Sequence, residues 1–388
     1  MFSTRVPDDR APTRLAQAVA EAGRRGPVLD LTLSNPTRAG LAYPDDLLRP
    51  LSDAAAATYR PEPLGLRSAR EAVAATYRRR GLPADSDRIV LTASTSDAYS
   101  ILFKLLCEPG RASVLTPVPS YPLFDHLTRL DGVESRRYAL EYHGTWSIGA
   151  GELDRAWAAD TRAVLAVSPN NPTGSIVRDP DAAELTRACA SREAALILDE
   201  VFWDYPLGDP FPEATPLQSA DCLTFRLGRL SKSAGLPQVK LGWIAVSGPA
   251  ALVADALDRL EFICDTYLSV STPVQIAGPA LIEGGCRVRE RILERIRAND
   301  RTLRARAANA PGVSVLPADG GWSAVLRVPA TASEERLALD LVERHAVVVH
   351  PGYFFDFAHE AFLVVSLLPE PSTFDRGVDL LLERVHAA

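Results

Sequence analysis

Through the middle of the 388-residue chain, short unbroken apolar runs alternate with longer stretches patterned like helices. The runs "RIVLTAS" (88–94), "SVLTPVP" (113–119), "AVLAVSP" (163–169), "ALILDE" (195–200), "LTFRLG" (223–228) and "GWIAVSG" (242–248) predict buried strands. Between most of them, 96–107, 121–131 and 180–191 predict helices. Such alternation predicts an α/β fold: a mostly parallel sheet with helices on both faces.

After about residue 249 the pattern changes. A long helical stretch, interrupted at "STPVQ" (271–275), runs to about 309. It is followed by "SVLPADGGWSAVLRVP", a helix at 333–345, short strands at "VVVHPG" and "FLVVSLL", and a terminal helix. These elements predict a smaller α/β domain. The N-terminal segment, with a helix at 12–25 and "LDLTLSNPT", is too short to stand alone and is assigned to that smaller domain. The expected division is therefore 1–45 packing with 271–388, and 46–270 as the large domain.

Composition narrows the function classes. The apolar fraction of 47% and charged fraction of 23% are those of an ordinary globular protein. A net charge of -7 argues against a nucleic-acid surface, and arginines sit beside acids, as in "RVRERILERIRANDR". No apolar stretch is long enough to span a bilayer, and "MFSTRVPDDR" lacks the apolar run of a signal peptide. Cys107, Cys189, Cys222, Cys264 and Cys286 form neither a metal pattern nor a disulfide framework, and the histidines are not paired. A cytoplasmic protein without a metal site is expected.

One residue type is conspicuously scarce. Of 42 basic residues only Lys104, Lys232 and Lys240 are lysine, and two of them share "LSKSAGLPQVKLGW". Arginine stays protonated, whereas a desolvated lysine can lose its proton and attack a carbonyl. Ligands of a parallel sheet sit outside the carboxyl ends of its strands. Those ends carry "ASTSDA", "PVPSYP", "SPNNPTG", "LDEVFW" and "LGRLSK". Taken singly, each has a plain structural reading: a tight turn for "SPNNPTG", a capping or ion-paired carboxylate for Asp199, a helix cap for Ser94, Thr95 and Ser96. The hydroxyl-rich turn is equally an anion site.

In order and spacing, however, "NNPTG", "LDEV" and "LSKSAGLPQVKLGW" make the chain resemble the fold-type I pyridoxal-phosphate enzymes, in particular the aspartate aminotransferase superfamily (class I/II aminotransferases). The resemblance runs from "SNPT" to "VVSLLPEP" and implies a seven-stranded, mostly parallel sheet. It implies pyridoxal 5'-phosphate held by Lys232 as a Schiff base, with Lys232 then shuttling the substrate proton. Asp199 would pair with the pyridine nitrogen, Asn171 with the 3' oxygen, and Tyr121 would stack on the ring. Thr95 and Ser96, with Ser94 and Ser231, would cradle the phosphate, and Lys240 falls where the family commonly has a phosphate-binding arginine. Tyr59 resembles the tyrosine that reaches the neighbouring subunit's phosphate, which implies a homodimer. Amino acids and 2-oxo acids would be the substrates.

Two departures bear on chemistry. Phe202 stands where relatives usually carry a tyrosine that donates to the 3' oxygen. Its loss should make the Schiff base more basic. Val364 stands where most relatives carry the arginine that grips the substrate α-carboxylate. Arg38, helped by Asn35, is the expected substitute, and Trp322, Tyr353 and Phe354 are expected to form an apolar wall that disfavours a dicarboxylate donor. Transamination is the leading expectation; a lyase or decarboxylase on the same fold is the alternative that Val364 and Phe202 keep open.

Overall fold

In the computed structural model, which describes residues 2–8, 10–211 and 221–387, the apolar runs of the middle region join in one eight-stranded sheet. Its spatial order is Ile89–Thr92, Gly242–Ser247, Thr224–Arg229, Ala195–Asp199, Thr161–Val167, Ser113–Val118, Glu134–Tyr142, Trp146–Ile148. The strands from Thr224–Arg229 to Glu134–Tyr142 run parallel. Gly242–Ser247 opposes both of its neighbours, and Trp146–Ile148 folds back antiparallel on Glu134–Tyr142. That return strand takes the sheet one beyond the expected seven. At three residues it is too short to show a period in the sequence.

The central strands supply two cores at once. From Thr161–Val167, Ala163, Leu165 and Val167 enter an apolar cluster with Tyr99, Phe103 and Phe124. Val164 and Ala166 enter another with Leu185 and Cys189. Helix Thr95–Leu106 covers the first face and helix Asp179–Ser191 the second. Because neither face of the sheet's centre meets water, the runs 163–167 and 195–198 are apolar at every position. Burying one such leucine or isoleucine contributes on the order of 2 kcal/mol.

The later part of the chain continues with helices Ala250–Tyr267, Thr272–Gly284 and Cys286–Ala307. A second, antiparallel sheet follows, in the order Ser314–Val315, Ser323–Arg327, Phe362–Ser366, His350–Pro351. Leu29–Asp30 pairs parallel with Val347–Val348, so the N-terminal segment is tied to this region by backbone hydrogen bonds. Among the described residues, no helix is long and apolar enough to cross a membrane.

Candidate active site

A cavity of about 1010 Å³, part of it open to solvent, lies where the parallel strands end and the second sheet faces them. Lys232 lines it. Strand Thr224–Arg229 leads directly into the single helical turn Leu230–Ser233, which projects the lysine into the cavity. Its Nζ lies 4.0 Å from the ring centre of Trp322 and 4.9 Å from that of Phe202. Burial, and next the charge of Arg229, hold the amine's pKa well below its ordinary 10.5, against the pull of Asp199. Lowering an amine's pKa raises its neutral, nucleophilic fraction.

Asp199 arrives by strand alternation. Ala195 and Ile197 point to the face covered by helix Thr95–Leu106, so Asp199 points there too. On that helix Tyr99, one turn after Thr95, donates its hydroxyl to Asp199 Oδ2 at 2.9 Å, and the Val201 N–H donates to Oδ1 at 3.1 Å. Burial raises the carboxyl's pKa, while Arg229 and these two donors draw it back. Glu200 points the opposite way, into a buried ion cluster with Arg226 (2.6 Å) and Arg80 (3.0 Å). The two adjacent carboxylates therefore have separate duties.

In "SPNNPTG" the two asparagines also divide. Asn170 is buried: it accepts from Ser120 Oγ (2.7 Å) and donates to the Pro119 carbonyl and Thr173 Oγ1 (both 2.9 Å). It thereby locks the turn that carries Tyr121. Asn171 lines the cavity, where Ser323 Oγ donates to its Oδ1 at 3.2 Å. Gly174, at φ +69°, is required twice over. Left-handed backbone favours glycine, and a Cβ there would stand 2.5 Å from the Gly320 carbonyl oxygen. That close approach lets the Gly174 carbonyl accept from both the Asp319 and Gly320 N–H groups, seating the loop that carries Trp322.

At the start of helix Thr95–Leu106, the Ser94 hydroxyl accepts from the Asp97 N–H, and the Asp97 carboxylate accepts from the Ala93 N–H. Ser94 is thus committed as a cap and does not line the cavity, whereas Thr95 and Ser96 do. Arg229 Nε and Ser231 Oγ are buried and hydrogen-bond to nothing among the described residues. These leftover donors flanking Lys232, a hydroxyl-bearing helix start, and a buried carboxylate form the donor set that an aldehyde-bearing, anionic pyridine cofactor requires. The residues fit such a group.

The cavity therefore brings together Thr95, Ser96, Tyr121, Asn171, Asp199, Phe202, Lys232 and Trp322. Other expected residues lie outside its lining. Lys240 is exposed, at φ 61°, and the cavity's second cation is Arg229. Tyr59 is 69% exposed in a separate groove with Glu62 and Leu268. Asn35 spends its Oδ1 on the Thr37 N–H and hydroxyl. Arg38 is exposed at the end of the same short turn, and Tyr353 is exposed beside the cavity-lining Phe354. Sequence reasoning missed Tyr99, Arg229 and His350. The spacing of Tyr99 from Thr95 would have shown the first, and the end of a strand the second; His350 is placed only by strand pairing.

A model of the family described as aminotransferase class I and II matches residues 32–380. The chain is 24% identical over 383 residues to the glutamate–pyruvate aminotransferase of Haemophilus influenzae, covering 96% of this chain and 94% of that protein. It is 25% identical over 386 residues to the alanine aminotransferase of Mycobacterium tuberculosis, covering 97% and 88%. The structure of an alanine aminotransferase from Pyrococcus furiosus superposes with a TM-score of 0.90 at 19% identity, over the full length of both chains.

Proposed function

The chain belongs to the class I and II aminotransferases, and from that premise we propose that Lys232 and Asp199 serve a pyridoxal-phosphate-dependent exchange of an amino group between an amino acid and a 2-oxo acid. The observation that carries this reading is a buried amine of lowered pKa sharing one cavity with a buried carboxylate and with Arg229, whose Nε is buried and unpaired among the described residues. When bound, the cofactor supplies an aldehyde that condenses with amines and a pyridine ring that accepts electrons from the substrate's Cα.

Lys232 offers the neutral amine that fixes the aldehyde and, once displaced by substrate, takes the α-proton. Asp199 holds a proton on the pyridine nitrogen, with Tyr99 fixing its Oδ2. Asn171 holds the 3' oxygen and Tyr121 covers the ring. Thr95, Ser96, Ser231 and Arg229 hold the phosphate. Residues 1–45 and 271–388 work as the smaller unit that closes over the cavity of 46–270. Tyr59, exposed on this chain, reaches the phosphate of a second copy, so the working unit is a cytoplasmic homodimer. Apolar Val364, Phe354 and Phe355 on the substrate side support a monocarboxylic donor, such as the alanine named for the Mycobacterium tuberculosis relative, over a dicarboxylic one such as the glutamate named for the Haemophilus influenzae relative.

Adding amino acids singly to the yellow, loaded protein tests this. Bleaching of the visible band with formation of the 2-oxo acid is expected, and Lys232→Ala should abolish both. Release of carbon dioxide or ammonia would instead indicate a lyase, and protein that takes up no pyridoxal phosphate would defeat the proposal.

A further inference from the structure

Val364 leaves the substrate carboxylate without its usual arginine, and the antiparallel register shows what stands beside it. His350 is the direct cross-strand partner of Val364, so both side chains leave the same face of the sheet, and both line the cavity. The imidazole is stacked on Phe354 (ring centres 4.9 Å apart, 12° between planes) and meets Phe355 edge-on at 5.6 Å, which fixes its plane. No hydrogen bond to it is found among the described residues. The cavity's other basic residues, Lys232 and Arg229, are assigned to the cofactor by the proposed function.

We propose that the His350 imidazole N–H takes the substrate's α-carboxylate in place of the missing arginine. This rests on the transamination reading and adds how the substrate is recognised. An imidazole is a smaller donor than a guanidinium and gives one hydrogen bond where arginine gives two. The site therefore suits a single carboxylate on an otherwise apolar substrate. Asp30 is the charged group that bears on the ring, favouring its protonated form, but burial outweighs it and lowers the pKa. Phe354, Phe355 and Val364 around it carry no charge, while Lys232, Arg229 and Asp199 share the cavity. An arriving carboxylate favours the imidazolium, so binding should take up a proton near neutral pH.

The test uses the pyridoxal-phosphate-loaded protein, wild type, His350→Gln and His350→Asn. Calorimetric titration with 3-phenylpropanoate in two buffers of different ionisation enthalpy reads affinity and proton uptake together. Single-turnover bleaching compares L-phenylalanine with 2-phenylethylamine, the same donor without its carboxylate. Loss of a charge-assisted hydrogen bond should weaken 3-phenylpropanoate binding about 10- to 100-fold in the variants. Proton uptake should vanish, and the preference for acid over amine should fall by a similar factor. Unchanged affinity, undiminished proton uptake, or an unchanged acid-to-amine ratio in both variants would overturn the assignment alone. If no amine or amino acid bleaches the wild-type protein, the transamination reading fails and the assignment falls with it.

Discussion

Phe202 puts an unsubstituted ring in the cavity wall, packed edge-on against Trp322 at 5.5 Å and facing the Lys232 amine. A phenol at this position could donate to an anionic oxygen on the cofactor ring; the benzene edge cannot. Removing a donor from an anion disfavours the deprotonated state, which raises the pKa of the imine formed with Lys232. Phe202→Tyr should therefore lower the midpoint of the visible-band pH titration by about 1 unit, the size a single added hydrogen bond commonly gives. A midpoint that stays or rises would show that the oxygen is satisfied from elsewhere. The neighbouring hydroxyls are already committed: Tyr99 to Asp199 and Tyr205 to the Lys232 carbonyl.

At the scale of the element, the loop after Thr161–Val167 shows how two adjacent, identical side chains divide stability from binding. Asn170→Ala would strip buried partners from Ser120 Oγ and the Pro119 carbonyl. Each orphaned group costs about 1–3 kcal/mol, so a loss of roughly 2–4 kcal/mol is expected by denaturant titration. Asn171→Ala removes only the longer Ser323 contact, so stability should move by less than about 1 kcal/mol while cofactor affinity drops. Equal effects on stability would refute this division. The motif was legible in the sequence, but the division was not, because it depends on which asparagine the turn aims inward. The same limit applies elsewhere. Apolar runs buried on both faces declared themselves as strands, whereas Glu134–Tyr142, half-solvated and rich in charge, did not. Lys232, Asp199 and Asn171 were readable because strand ends converge by topology. Arg229 was hidden in an arginine-rich chain. The left-handed, exposed position of Lys240 was not legible, because counting residues beyond a turn does not reveal the course of its backbone. His350 required the register of the small sheet, which no local pattern encodes.

For the molecule as a whole, the site is a cost carried by the rest of the fold. Without cofactor, the protein must bury an amine and, beside it, the Nε of half-buried Arg229, unpaired among the described residues. The amine's folded pKa lies below its unfolded value of 10.5, so between the two the unfolded chain binds a proton that the folded one does not. Lys232's contribution to stability is thus fully present only above pH 10.5 and is lost as pH falls towards the folded pKa. Asp199, whose pKa is raised above 3.8, acts in the opposite sense: its contribution is present below 3.8 and lost as pH rises through the folded value. Replacing the lysine by methionine keeps an unbranched chain of similar volume and removes the titrating group. Cofactor-free Lys232→Met should therefore melt a few degrees above cofactor-free wild type at pH 7, and the gap should narrow as pH approaches 10.5. Thermal melts of both proteins from pH 7 to 10 read this directly. A variant no more stable than wild type at neutral pH, or a gap that widens with pH, would mean that the amine is not held neutral, and the nucleophile assigned to position 232 would lose its physical basis.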